Sequence, residues 1–556
     1  MAKNKGLPRL EGANQSVSRR AFLGGSVAVG GVAALAGLAA CTGRTPDSNS
    51  SGSGTGNETG GPASAQPGSG LAEAEETIET EVLIVGAGAA GMMAAYEAAI
   101  AGAKVTVISN SPDAVSTNGS MVSGTSAVDT TYTREYGQTD VTTDDLFKVM
   151  YAFSHGMINA RLLKSCIAMQ PGNIELFDEM GIAMNIGADR YDSGIINVHL
   201  FGTEGKGQIM QDFITARGDV TFVYNTEGTE PLMEGQTCVG IKAESDGKVI
   251  DYKAKAVILA CGGYVANAER LKAKFGCEIV PLATPYQTGK GIDIAEAAGA
   301  FRENVDCLGL SDVVGANMTN GFNLFNPICM PAMYGGLLVA PDGRRFFNEY
   351  DLAMASMSYG GEPLIHVKQY YAVLDEAAMK SHTEPGGYYG YMGNPACWVS
   401  GSLLYSQPID GFDDLLAQAM DAGWAFKFDS VASAASSLSL AGLEETVTEY
   451  NAICAAGNDT QFFKRPEMLK AIDTSGAIYV LQYNPGAFNT AGGCRTDEFC
   501  RALTSEFEPI PGLYIAGVEN GSLYGRPYFV VGGNMSGLAY SSGRLSGQQA
   551  ASFVKA

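Results

Sequence analysis

Apolar residues in this chain gather into short runs that break at glycine. Glu81-Val82-Leu83-Ile84-Val85 predicts a buried strand that meets the pattern Gly86-x-Gly88-Ala89-Ala90-Gly91. A helix-forming stretch, Met92 to Ala101, and a second strand, Lys104 to Ile108, follow. The theme recurs downstream. Lys255 to Ala260 is a buried-strand run that stops at Cys261-Gly262-Gly263-Tyr264, and Thr288-Gly289-Lys290-Gly291-Ile292 precedes a helix ending in Ala297-Ala298-Gly299-Ala300. Leu513-Tyr514-Ile515-Ala516 runs into Gly517, and Gly532-Gly533-Asn534 opens a last helix, Leu538 to Phe553. Asn118-Gly119-Ser120 and Ser123-Gly124-Thr125 predict a polar loop of small residues after the second strand.

Strand, glycine turn and helix in that order open a dinucleotide-binding unit of an α/β, Rossmann-like fold. Gly86 permits the tight turn, Gly88 lets the backbone approach a pyrophosphate, and Gly91 lets the helix pack on the sheet, while the helix N-terminus at Ala89 and Ala90 faces the negative charge. One position departs from the simple pattern. Where an acidic side chain at the tip of the second strand would hydrogen-bond a ribose, the chain has Ser109-Asn110.

The N-terminus reads as an address before it reads as structure. Ser18-Arg19-Arg20-Ala21-Phe22-Leu23 places twin arginines before an apolar run that ends in Leu38-Ala39-Ala40-Cys41. This predicts a twin-arginine export signal with a lipobox over residues 1–41, leaving a chain anchored by lipid on Cys41 at the outer face of the cytoplasmic membrane. Residues 42–76 are rich in Ser, Gly, Asn, Thr, Pro and Ala, too poor in apolar surface to fold, and read as a disordered linker. The remaining chain of about 480 residues is long for one simple core and suggests two domains.

Net charge is −23, from 36 basic and 59 acidic residues, with no basic cluster after the signal, which argues against nucleic acid as a partner. The eleven cysteines form no Cys-x-x-Cys pair and no haem attachment site; an iron–sulfur site assembled from distant cysteines stays open. His155, His199, His366 and His382 show no metal-ligand spacing, and His199 is open to a structural or a catalytic role.

Taken together, the order of the glycine landmarks resembles the flavoprotein family of fumarate reductases, succinate dehydrogenase flavoprotein subunits and 3-ketosteroid dehydrogenases, over about residues 80 to 550. The resemblance implies bound FAD, with the ADP half on Gly86 to Gly91 and near Ser109-Asn110. The flavin ring would be held by Asn118, Gly119, Ser123, Gly124 and Thr125, by Gly262 and Gly263, and by Gly517 with Gly533 and Asn534; Gly289 is a further cofactor-binding position. It implies a Rossmann-like FAD-binding domain (77–311 and 487–556) with an inserted α+β capping domain (312–486) and substrate at their interface.

Reduction of an activated C=C bond needs a hydride, a proton donor, and positive charge or hydrogen bonds on the carbonyl where an enolate develops. The family's fumarate reductases use arginines and histidine for the last two. Gly343-Arg344-Arg345-Phe346-Phe347-Asn348-Glu349 matches the family, yet the proton-donor arginine falls at Ala353, a histidine falls at Asn489, and a further arginine falls near Val530. A dicarboxylate would be desolvated without a partner, so a largely neutral enone or enoate is expected. The loop Leu523-Tyr524-Gly525-Arg526-Pro527-Tyr528 before Gly532 is similar to that of 3-ketosteroid dehydrogenases. That resemblance makes Tyr528 and the Gly532 N–H the groups that polarise a carbonyl, with Tyr350 or Tyr334 moving the proton. Arg526 is read as either a surface residue or an anion contact.

The expectation is an exported FAD-dependent oxidoreductase that reduces an enone or enoate with electrons from a separate membrane-linked donor, cytochrome or quinol-linked. The rivals are a 3-ketosteroid 1-dehydrogenase-like enzyme and a non-catalytic flavin lipoprotein that carries electrons or binds a ligand.

Overall fold

The computed structural model describes residues 73–122, 124–186, 195–202, 204–303, 306–309, 312–316, 336–351, 362–384, 411–526, 528 and 531–556. The signal, Cys41 and most of the linker lie outside these residues, as do Ser123, Tyr334, Ala353 and Val530.

The first apolar run forms β1 (Glu76–Val85), followed by α1 (Ala89–Ile100), β2 (Val105–Ile108) and β3 (Val220–Val223). An antiparallel set comes next: β4 (Thr226–Glu234), β5 (Thr237–Ser245) and β6 (Lys248–Leu259). With β12 (Arg501–Leu503) and β13 (Pro509–Ile515) from the far end of the chain, these make an eight-stranded sheet ordered β12-β13-β6-β1-β2-β3, with β5 and β4 attached beside β6. β3, β2, β1, β6 and β13 run parallel to one another, and the central three carry fully buried runs, Val82 to Val85, Val105 to Ile108 and Ala256 to Leu259, because both faces are covered there.

β1 begins five residues before the apolar run and takes in Glu76, the last residue assigned to the linker. Glu76 to Thr80 pair with Ile250 to Ala254 of β6, so ladder bonds order a segment whose composition alone would leave it loose. The polar loop after β2 is also more regular than its sequence suggests. Thr117 accepts from the Ser120 N–H at 3.1 Å and starts a short helix, Asn118–Met121, ahead of a strand, Gly124–Ser126.

A second, six-stranded sheet is built around β11 (Ile478–Ala487). Its other strands are β7 (Asp312–Gly315), β8 (Leu337–Val339), β9 (Tyr370–Asp375) and β10 (Ala425–Phe428), with Val280–Pro281 at one edge. It is largely antiparallel and draws almost wholly on residues 312–487, one residue past the boundary read from sequence.

The chain ends in α3 (Asn534–Lys555), which crosses α1 at glycines. A Cβ on Gly543 would lie 2.2 Å from the Ala90 carbonyl oxygen, and one on Gly547 would lie 2.5 Å from that of Ala94. This close approach brings the N-terminus of α3 to the C-terminal ends of the parallel strands.

Candidate active site

A cleft opens at the C-terminal ends of β1, β2, β6 and β13, where Val85, Ser109, Ala260 and Ala516 stand on its wall. This is the edge of a parallel sheet at which α/β folds bind ligands, because the glycine turns and helix N-termini gather there.

Gly86, Gly88, Ala89 and Ala90 line one end. Gly86 has φ +108°, and a Cβ there would sit 2.3 Å from the Ala260 carbonyl oxygen. Gly91 lies behind the wall, where a Cβ would meet the Gly86 oxygen at 1.8 Å, so it sets the seating of α1 on the sheet. Gly88 differs from both: a Cβ there would meet nothing within 4 Å, and its own role as N-cap of α1 involves no side-chain hydrogen bond. The first-turn N–H groups of α1 therefore face an open cradle suited to an anion.

Ser109 and Asn110 also line the cleft, but their polar groups are largely engaged by neighbours. Ser109 Oγ lies 2.8 Å from Ser111 Oγ, and Asn110 Nδ2 donates to the Tyr286 carbonyl at 3.1 Å. Asn118, Gly119 and Gly124 form the next stretch of wall; a Cβ on Gly119 would lie 2.3 Å from the Ala89 nitrogen, which locks this loop against the α1 turn. Gly262, Gly517 and Gly533 line the cleft as well. Thr125, Gly263, Gly289 and Asn534 stand one layer behind it: Gly263 packs against Thr490, Gly289 caps α2 (Lys290–Ala297), and Asn534 Nδ2 donates to the Val531 carbonyl at 2.5 Å.

At the other end the wall is made by Gly309, Phe488, Asn489, Val518, Tyr528 and Met535. Tyr528 is buried, and its hydroxyl accepts from the Met535 N–H at 2.5 Å in the first turn of α3, while the Tyr524 hydroxyl donates to the Met535 carbonyl at 3.0 Å. Gly532 stands just outside the wall, its carbonyl accepting from Asn197 Nδ2 at 2.7 Å. His199 holds that asparagine: Nδ1 donates to the Asn197 carbonyl at 3.1 Å, which leaves Nε2 to accept from Thr130 Oγ1 at 2.8 Å. Burial pulls its pKa down to about 4, so the ring is neutral and acts as a strut. Asn489, at the position where a histidine was expected, has its Oδ1 buried without a hydrogen-bond partner among the described residues.

Two other tyrosine assignments fare differently. Tyr350 does not reach the cleft wall. Arg345 forks Glu349 at 2.9 and 2.8 Å and reaches Asp459 at 3.0 Å, with Lys464 3.6 Å from Glu349, all four buried. Pinning Glu349 there turns the next residue toward Arg465, whose guanidinium carbon lies 4.4 Å from the Tyr350 ring centroid. Tyr334 lies outside the described residues, and Arg526 is exposed and off the wall.

Several groups on or near the wall carried no clear sequence signal. Glu227 and Lys290 are the charged side chains among the described lining residues; Thr284, Tyr286 and Gln287 come from an unpatterned loop. Lys290 sat in view inside a quoted glycine turn. Behind the Cys261-Gly262 turn, Glu519 is fully buried, with Oε1 accepting from the Cys261 N–H and Oε2 without a partner among the described residues. Burial pushes its pKa up to about 8. Lys206 is likewise buried; its ammonium donates to the Val122 carbonyl and lies 4.0 Å from the Phe201 ring centroid, and burial lowers its pKa well below the usual range. The described cysteines, Cys494 and Cys500 included, are free thiols, and no group of three potential metal ligands occurs among the described residues.

Comparison with known proteins matches residues 81–529 to the family described as FAD binding domain. Fumarate reductase (cytochrome) of Shewanella frigidimarina is 26% identical over 497 residues, covering 85% of this chain and 77% of that protein. Vinyl phenol reductase of Lactiplantibacillus plantarum is 26% identical, covering 85% of this chain and 97% of that protein. Among solved structures, 3-ketosteroid delta1-dehydrogenase from Sterolibacterium denitrificans superposes with a TM-score of 0.64 at 18% identity, over 85% of this chain and 99% of that one, a likeness of fold.

Proposed function

This chain belongs to the FAD binding domain family and is an FAD-dependent oxidoreductase, and from that premise we propose that it reduces a C=C bond conjugated to a carbonyl on a largely neutral organic molecule. The residues fit the cofactor: the room beside Gly88 and the uncapped N-terminus of α1 suit a pyrophosphate, and the cleft continues past Gly124, Gly262 and Gly517 toward Tyr528. When bound, FAD supplies the hydride that adds to one carbon of the double bond.

One observation carries the substrate class: the end of the cleft at Tyr528 has no charged side chain among its described residues. A carboxylate brought there would lose its hydration without an ionic partner, whereas a carbonyl needs only a hydrogen-bond donor. Tyr528 stands on this wall with a phenol hydroxyl that accepts from the Met535 N–H, and a phenol can also donate, so it is the group assigned to polarise the substrate oxygen. The Gly532 turn that follows it, held by Asn197 with His199 behind, lies between that tyrosine and Met535. Vinyl phenol reductase, by its name, acts on a vinyl phenol, whose C=C bond carries no carboxylate, which supports the neutral character of the substrate though not its carbonyl.

The proposal extends to location. A chain exported by the twin-arginine signal and tethered through Cys41 outside the cytoplasmic membrane would draw electrons from a separate membrane-linked cytochrome or quinol-linked donor. None of the described helices is long and apolar enough to cross a membrane.

The test is an anaerobic assay of the FAD-loaded protein with reduced viologen and a panel of neutral enones, enoates and fumarate. Dye oxidation by neutral acceptors in preference to fumarate is expected. Background rates across the panel, together with oxidation of a saturated ketosteroid, would reverse the direction assigned here.

A further inference from the structure

Glu227 lines the cleft far from any role in the reduction just described, and the tip of β2 beside it lacks the acid that a ribose calls for. We propose that Glu227 is the carboxylate that binds the ribose hydroxyls of the adenosine half of FAD, supplied by β4 in place of the acid missing at Ser109.

Backbone bonds put it there. The Thr226 N–H donates to the Ser109 carbonyl at 2.8 Å and the Asn225 N–H to the Ser111 carbonyl at 2.9 Å, so the entry to β4 is fastened along the tip of β2. The next residue is Glu227, half-buried on the cleft wall. Its negative charge acts on the Cys261 thiol, which also lines the cleft, at the end of β6. The carboxylate is therefore within electrostatic range of a second part of the wall.

Chemistry favours it over the serines. Ser109 Oγ pairs with Ser111 Oγ at 2.8 Å, and Ser111 Oγ donates to the Asp113 carbonyl at 3.1 Å, so both hydroxyls serve the turn. A carboxylate is acceptor-only, with two oxygens to meet the two donors of a vicinal diol. Its position in the sheet is also unfavourable without a ligand: Glu227 stands opposite Glu244 in the β4–β5 ladder, a like-charge cross-strand pair. No side-chain hydrogen bond or ion pair engages Glu227 among the described residues.

The inference depends on bound FAD and not on which substrate is reduced, and its test reads the flavin alone. Purified holoenzyme is equilibrated with equal concentrations of FAD and of an analogue lacking the adenosine 2′- or 3′-hydroxyl, and the flavin retained after gel filtration is identified by mass spectrometry. The wild-type protein is expected to prefer FAD by about tenfold or more, the worth of a hydrogen bond to a charged acceptor. Glu227→Gln should shrink that preference to about threefold or less, as a neutral acceptor replaces the charged one, while Glu227→Asp keeps part of it. Ser109→Ala should leave it intact. A preference unchanged in Glu227→Gln, or lost in Ser109→Ala instead, overturns the assignment.

Discussion

The two ends of the cleft are built from different materials. The nucleotide end is made of backbone: glycine turns, a helix N-terminus and strand tips fixed by parallel pairing, all within a short span after β1 or at the ends of neighbouring strands. The Tyr528 end is made mainly of side chains, drawn from residues 488, 489, 518, 528 and 535 beside Gly309. A backbone site is specified by where side chains are absent. A side-chain site is specified by which ones meet, and that depends on the whole fold.

The sharpest way to break this contrast lies within the glycine turn itself. Gly86→Ala combines a strained positive φ with a Cβ 2.3 Å from the Ala260 oxygen, and should destabilise the protein by about 2–6 kcal/mol from strain and overpacking together. Thermal melting of the flavin-free protein measures it. Gly88→Ala should leave that melting temperature nearly unchanged, because its methyl meets no protein atom, yet lower FAD affinity by about tenfold or more through steric conflict with the ligand. If both variants lose stability alike, Gly88 is a packing residue and the cradle is misread.

The same contrast explains what could be read from sequence. The β1–Gly–α1 unit, the strand runs ending at Cys261 and Gly517, and the helix after Gly533 are local patterns whose glycines are demanded by contacts a few residues away or by adjacent strands. The Asn118 to Thr125 wall was legible as a glycine-bearing loop, although Thr117 capping made part of it helical. Tyr350 lies beyond the reach of local pattern. Its neighbour Glu349 is held by Arg345 and Lys464, and Arg345 is held in turn by Asp459; Lys464 and Asp459 lie more than 100 residues away, and no local pattern announces that pull. Glu227 was hidden for a related reason: its place beside Ser109 comes from hydrogen bonds between β2 and β4, not from a motif.

At the side-chain end, Tyr528→Phe removes from a residue of the cleft wall the hydroxyl that accepts from Met535. Turnover of neutral enones should fall by about a hundredfold, the scale of losing one preorganised donor at a developing oxyanion, with FAD content unchanged. The melting temperature should drop only by the equivalent of about 1 kcal/mol for the lost hydrogen bond. Unaltered dye oxidation would mean that the end of the cleft carries electrons without polarising a carbonyl, and the distinction between the two ends would lose its chemical meaning.

The smallest effect belongs to the joint between the ends, where Glu519 backs the Cys261-Gly262 turn. Its pKa of about 8 in the folded protein stands above the ordinary value of 4.5, because burial opposes the charged form more than the Cys261 and Gly262 N–H groups favour it. A raised folded pKa stabilises the protein fully below about pH 4.5, and that contribution is lost as pH rises toward 8, since the unfolded chain releases the proton first. Glu519→Gln stays neutral throughout and still offers Oε1 to the same N–H groups. The variant and the wild-type protein should therefore melt together near pH 4.5, diverge as pH rises with the variant the more stable, and keep a constant gap above pH 8. For a folded chain of about 480 residues the gap is expected to be about 1 °C per kcal/mol of relieved penalty. Other titrating groups are common to both proteins and cancel in the difference. Parallel melting curves from pH 5 to 8 would show that the carboxylate ionises in place without cost, and that the turn joining the two ends tolerates a charge.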